Sequence, residues 1–226
     1  VVSVTRGESA FGDEKEAEVG IGEGFPLVAL AGGATPVTLE FGVQVYGRFS
    51  LDDPKTALIS NDWVVGFNTV ADLGRVLLAL RLYHESSHLG DEYVQQFSAE
   101  RLDWSREVAS LWVAYRAGPF TLHGNVALTL LDELGLERPS AALAVDWQGK
   151  PGRFLGLRVR PVAGIYSEGA EATAWKTTTA ARAGVVLDGG RRALALSVIA
   201  LDGLSTQRQF FRARSRYVGA EIRFDL

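Results

Sequence analysis

Hydrophobic and polar residues alternate along this chain with a period of two, and the alternation is cleanest at its end. Val218, Ala220, Ile222, Phe224 and Leu226 share one face of an extended segment, while Tyr217, Glu221, Arg223 and Asp225 share the other. An apolar side that can meet lipid and a polar side that can meet a lumen describe a strand that crosses a membrane. In residues 37–49, Leu39, Phe41, Val43, Val45 and Phe49 point one way, and Thr38, Glu40, Gln44, Tyr46 and Arg48 the other. A slip of one residue would put Glu40 and Arg48 into lipid, so the register of this segment is strongly fixed.

Similar segments recur at residues 1–5, 16–30, 36–50, 59–71, 75–87, 103–116, 119–131, 139–148, 153–165, 172–187, 191–202 and 211–226. The pattern predicts twelve strands. Ten is the alternative, because residues 1–5 are few and Pro26 interrupts the second segment, where a bulge or an edge is needed. The connections alternate too. Residues 31–35, 72–74, 117–119, 148–152 and 188–190 are short and rich in Gly and Pro, whereas 6–15, 51–58, 88–102, 131–139, 166–171 and 202–210 are longer polar loops. Short turns on one end and longer loops on the other predict an all-β, antiparallel transmembrane β-barrel. It spans residues 1–226 as a single domain of the bacterial outer membrane, with both termini on the periplasmic side. A soluble β-sandwich or lipocalin-like barrel also alternates. Against it, Trp63, Tyr115, Phe120, Trp147, Trp175 and Phe224 fall toward segment ends on the lipid-side parity, as aromatic girdles do.

Composition changes this picture little. The chain has 226 residues, 47% of them hydrophobic and 22% charged, which also suits an ordinary domain, because alternating strands average their two faces away. No run approaches the roughly 20 apolar residues of a membrane-spanning helix, which excludes a helical membrane protein. Without cysteine, neither a disulfide framework nor a thiolate metal site can form. The absence of Met and of a basic, apolar leader before Val1 leads us to expect a processed or trimmed chain. A net charge of −4 with interleaved signs argues against nucleic acid as a partner.

Inward parity gathers a lumen network of Glu40, Arg48, Arg81, Glu85, Arg158, Arg160 and Arg182, together with Asp146, Lys176, Glu221 and Arg223. Mixed charges in so narrow a barrel are expected to cross-link into a hydrogen-bonded plug, which argues against a wide general porin. His123 is expected to be a satisfied member of that network. The densest reactive cluster is Tyr83-His84-Glu85-Ser86-Ser87-His88-Leu89-Gly90-Asp91-Glu92-Tyr93. Parity carried from Val76, Leu78, Leu80 and Leu82 turns His84 and Ser86 toward lipid at the outer rim, about 7 Å apart on one face. A histidine base beside a serine nucleophile, both facing the bilayer, suits hydrolysis of a lipid acyl ester. Asp103, Ser105 and Glu107 have the same parity on the next segment, and Glu107 is the candidate third member. The bland alternative is a polar knot of His84, Ser86, Ser87, His88, Asp91 and Glu92 tying the long loop to the rim. Asp91 and Glu92 with loop carbonyls are also a candidate calcium site. Zinc through His84 and His88 is disfavoured, because residues four apart do not converge on a strand.

The His-x-Ser pair on a rim strand resembles the catalytic strand of outer-membrane phospholipase A and of the lipid A deacylases. In those families Asn-Gly or a similar small polar residue follows the pair. Here Ser87-His88 follows instead. Taken whole, Tyr83-His84-x-Ser86-Ser87-His88-Leu89-Gly90-Asp91-Glu92, with Asn61-Asp62-Trp63 upstream and Phe211-Arg212-x-Arg214-x-Arg216-Tyr217-Val218-Gly219 near the end, resembles a bacterial family catalogued only as a domain of unknown function. That resemblance implies an outer-membrane β-barrel of no established activity, with members longer at the N-terminus.

Three functions remain on the sequence. The first is a structural or accessory envelope barrel, docked to other envelope proteins, with Arg212, Arg214 and Arg216 holding lipopolysaccharide phosphates or snorkelling to headgroups. The second is an outer-leaflet acyl hydrolase built on Ser86, His84 and Glu107. The third is a narrow anion-preferring pore along Arg81, Arg158, Arg160, Arg182 and Arg223.

Overall fold

Alternating segments become strands because each has one face that must leave water and one that must not. A computed structural model describes residues 1–9, 12–30, 36–53, 57–136, 138–154, 156–190 and 192–225. Leu226 and the 31–35 turn lie outside the described residues. In chain order the elements are β1 (Val2–Ser9), β2 (Gly12–Leu30), β3 (Val37–Ser50), β4 (Leu58–Asp72), β5 (Val76–Leu89), the helix α1 (Asp91–Phe97), β6 (Trp104–Ala117), β7 (Phe120–Asp132), β8 (Pro139–Gln148), β9 (Gly152–Phe154), β10 (Leu157–Ala170), β11 (Thr178–Asp188), β12 (Ala193–Leu204) and β13 (Arg214–Asp225). Each strand pairs antiparallel with its neighbours, and β13 returns to β1 through Val2↔Ile222 to Glu8↔Arg216. The ring therefore closes on twelve strands. β9 stands outside it, paired only with the base of β10. No helix among the described residues is long and apolar enough to cross a membrane.

Burial is inverted relative to a soluble domain. Leu143 is 71% exposed and Val218 62%, and Phe67, Leu82, Val126, Val198 and Phe224 are likewise exposed, whereas Ser3, Thr5, Ser110, Thr129, Ser197 and Ser215 are buried. A continuous apolar exterior around a polar interior is stable only against lipid, so this is a transmembrane barrel. Tyr115, Phe120, Trp147 and Phe224 ring the inner end, with Trp63 and Trp175 near the outer one.

Pro26 is accommodated as its missing N–H requires: the β2–β3 register shifts between Pro26 and Val28. Further shifts fall between Arg48 and Phe49 and between Glu107 and Val108. Several boundaries differ from the sequence pattern. Residues 6–15, expected as a loop, continue the β1–β2 ladder to Ser9↔Gly12. Residues 172–177 are a 3-10 turn (Glu171–Thr173) and a loop rather than strand. β13 begins at Arg214, because residues 205–213 fold into the mouth of the barrel. At the end of β5, Gly90 donates its N–H to Ile59 O at 2.9 Å, and a Cβ there would collide with Leu58 O. That close approach lets α1 lie over the outer end of β4.

Candidate functional site

β5 is held from inside the barrel by its odd-numbered residues. Glu85 Oε1 accepts from Trp104 Nε1 at 2.9 Å and lies 3.1 Å from Arg208 Nε. Ser87 Oγ donates to Asp62, and the Arg208 backbone N–H reaches Asp62 Oδ2 at 3.4 Å. Gln209 Nε2 donates to Ser87 O at 2.7 Å and Leu102 O at 2.9 Å, and Ser60 Oγ donates to Gln207. Gln207, Arg208 and Gln209 thus bring the β12–β13 loop across the outer mouth. Phe210 packs edge-on to Tyr93 and Phe211 against Trp104. The Glu85 carboxylate is the chief reason that the Arg208 guanidinium is held above its ordinary pKa, with Glu168 and Asp62 adding to it against the cost of burial.

The even-numbered residues of β5 face outward. His84 stands directly across from Glu107, and His84 Nδ1 lies 2.8 Å from Glu107 Oε1, with both side chains a little under half exposed. Ser86 follows on the same face, between Trp63 of β4 and Ser105 of β6. Among the described residues no hydrogen bond joins Ser86 to His84. The surrounding exterior is apolar, with exposed Leu80, Leu82, Trp63, Leu111 and Leu131. The cluster is therefore divided between two faces: His84 and Ser86 belong to the lipid side, and Ser87 belongs to the lumen. A single polar knot does not form.

The inward residues assort mainly into pairs. Arg48 donates to Glu16 at 2.9 Å and Glu18 at 2.5 Å and lies over the Tyr217 ring. Arg81 donates to Asn68 at 2.9 Å. Arg160 donates to Gln148 at 2.8 Å, Arg182 pairs with Glu221 at 3.2 Å, and His123 Nε2 lies 2.9 Å from Asp146. Arg158 faces Asp188 and Arg153 in the ladders on either side. Glu40 sits inward across from Pro26 and Asn68, with no ion-pair partner among the described residues.

Arg212, Arg214 and Arg216 are exposed at the outer end of β13. Arg212 stacks on Phe211, Arg214 pairs with Asp202 at 2.5 Å, and Arg216 stands across from Glu8. Asp91 and Glu92 open α1, where Arg101 takes up the Asp91 carboxylate. The described residues hold no group of three His, Cys, Asp or Glu side chains that could bind a metal. Sequence parity located His84, Ser86 and Glu107 but missed Trp104, Gln207, Arg208 and Gln209. Their only signal was two adjacent phenylalanines in a polar loop.

No curated protein matches the chain. Solved structures similar to it include LpxR from Salmonella typhimurium, 13% identical over 98% of this chain and 97% of that one, with a TM-score of 0.41. The beta domain of the Bordetella autotransporter BrkA is 15% identical over 100% and 96%, with a TM-score of 0.43. CdiB from Acinetobacter baumannii is 9% identical over 98% and 58%, with a TM-score of 0.36. A family model described as protein of unknown function (DUF1207) matches residues 5–226, and the chain belongs to that family.

Proposed function

We propose that this protein is an integral barrel of the bacterial outer membrane that hydrolyses an acyl ester of outer-leaflet lipid, with Ser86 as nucleophile, His84 as base and Glu107 as its orienting carboxylate. The observation that carries this reading is the 2.8 Å contact between His84 Nδ1 and Glu107 Oε1 on the apolar exterior, with Ser86 two residues along the same face. With its proton on Nδ1 and directed at Glu107, the imidazole keeps Nε2 free to accept. Ser86 Oγ adds to the acyl carbon as its proton passes to His84 Nε2. Collapse breaks the ester C–O bond, and the departing alcohol takes that proton. Water, deprotonated by His84, then releases the fatty acid and restores Ser86. Ser105, the cross-strand partner of Ser86, is the hydroxyl we assign as donor to the developing oxyanion. The Glu85–Arg208–Trp104 clasp on the opposite face holds the strand that carries the pair.

Mass spectrometry of outer-membrane lipid, both phospholipid and lipopolysaccharide, after incubation with the reconstituted protein tests the proposal. Lysolipid or free fatty acid is expected with the unaltered chain and is lost in Ser86→Ala and His84→Ala. Unchanged lipid throughout would leave the second reading, an accessory envelope barrel, which the plugged outer mouth favours over a conducting pore.

A further inference from the structure

At the inner end of the barrel, on the side away from the plug, β9 and the base of β10 form a short ribbon that continues below the β8 ladder. The central of its three cross-strand pairs is Arg153↔Arg158. Two like charges directly opposite each other repel, and nothing in the ribbon itself offsets them. Among the described residues, neither guanidinium has a hydrogen-bond or ion-pair partner. The facing carboxylate is Asp188, in register with Arg158 on β11, and its Oδ1 already accepts from Gly190 N at 2.8 Å. Around these side chains lies a concavity of about 550 Å³, lined by Pro151, Gly152, Arg153, Gly156, Arg158, Asp188 and Gly190. Three of its seven lining residues are glycines with open space where a side chain would stand, which leaves the two guanidinium forks accessible to an anion. The volume falls in the range of small-ligand sites.

We infer that this inner vestibule is a binding site for a small soluble oxyanion, of the phosphate or organic phosphate class, entering from the inner side of the membrane. Arg158 has lumen-facing parity, and Arg153 as its direct partner shares that face, so the guanidiniums turn away from the lipid. That orientation favours a solute over a phospholipid headgroup. Arg160, the next inward residue on β10, extends the positive charge inward, and the outer plug of Gln207, Arg208 and Gln209 makes the route a blind one. The site is a receptor pocket rather than the entrance to an anion channel, and it is independent of the His84 exterior site.

Calorimetric titration of the full chain in neutral phosphatidylcholine nanodiscs, with inorganic phosphate and with pyrophosphate as probes, tests the inference. Saturable binding is expected for at least one probe, and Arg153→Ala or Arg158→Ala is expected to weaken it by about tenfold or more, equivalent to about 1.4 kcal/mol. Lys150→Ala, outside the lining, is expected to leave it unchanged. The gel mobility of each folded variant is compared in parallel, so that weakened binding is read only from barrels that have closed. Three results would overturn the inference: no saturation with either probe, equal affinity in the folded arginine variants, or binding abolished when the nanodisc carries phosphatidylglycerol. The last would assign the two arginines to lipid headgroups.

Discussion

Removal of Arg48 isolates the energetics of the lumen network. Its side chain is 5% exposed, and its two carboxylate partners differ: Glu16 is 3% exposed and Glu18 30%. In Arg48→Ala, Glu16 is left charged in a buried site without its cation, the situation in which breaking a pair costs about 3–5 kcal/mol. Glu18, reached by lumen water, adds an amount near that of an exposed pair, about 0–1 kcal/mol. Loss of the contact with Tyr217 lies within the same range. The expected destabilisation is therefore about 3–5 kcal/mol, dominated by Glu16. Urea titration in phospholipid bilayers, followed by tryptophan fluorescence and by the mobility shift of the folded barrel on gels, measures it. The double variant Arg48→Met with Glu16→Leu removes both buried charges and is expected to recover most of the loss. A loss below about 1 kcal/mol in Arg48→Ala, the value of a surface pair, would refute the reasoning. A double variant no more stable than the single one would refute it equally.

Further expectations concern the two faces of β5 and the outer rim. Glu107→Gln is expected to lower lipid hydrolysis by at least about tenfold, because the orienting charge on His84 is lost; unchanged turnover would remove Glu107 from the proposed mechanism. Arg208→Ala combined with Gln209→Ala is expected to unfasten the plug and raise the conductance of planar bilayers above that of the unaltered barrel, which current recordings would detect. Asp202→Ala breaks an ion pair whose side chains are both more than half exposed, so its effect on stability is expected to be within about 0.5 kcal/mol. Gly90→Val is expected to displace α1 from the outer end of β4, seen as faster proteolysis within residues 91–103 while the barrel itself still closes.

The strands of the ring were legible because their information is local. In β3 and β13 each residue's neighbours two positions away declare its face, and parity extended from Leu80 and Leu82 was enough to set His84 and Ser86 outside. Glu107 was legible for the same reason, once the next strand was placed antiparallel beside β5. The plug was not. The hydrogen bond of Ser60 to Gln207 spans 147 residues, and that of Gln209 to Ser87 spans 122, and no period in the sequence reports contacts at such separations. β9 does not separate from β10 in the sequence, where residues 153–165 read as one segment, because three residues are too few to alternate on their own. The β1–β2 extension is not legible because Arg6, Glu8, Glu14 and Lys15 resemble a solvated loop, whereas the ladder carries Arg6 opposite Lys15 and on to Ser9↔Gly12.

The position of the plug late in the chain has a consequence for how the barrel is assembled. Asp62, Glu85 and Ser87 belong to β4 and β5, yet Gln207, Arg208 and Gln209 lie between the last two strands. Until that final hairpin arrives, Glu85 and Asp62 have no Arg208, and Tyr93 and Trp104 have no Phe210 or Phe211. The hairpin that brings β13 to β1 is thus also the one that satisfies these groups, so seam closure and sealing of the mouth become a single cooperative event. An open sheet lacking only its last hairpin carries these carboxylates and aromatic rings at its rim without their Arg208, Phe210 and Phe211 partners.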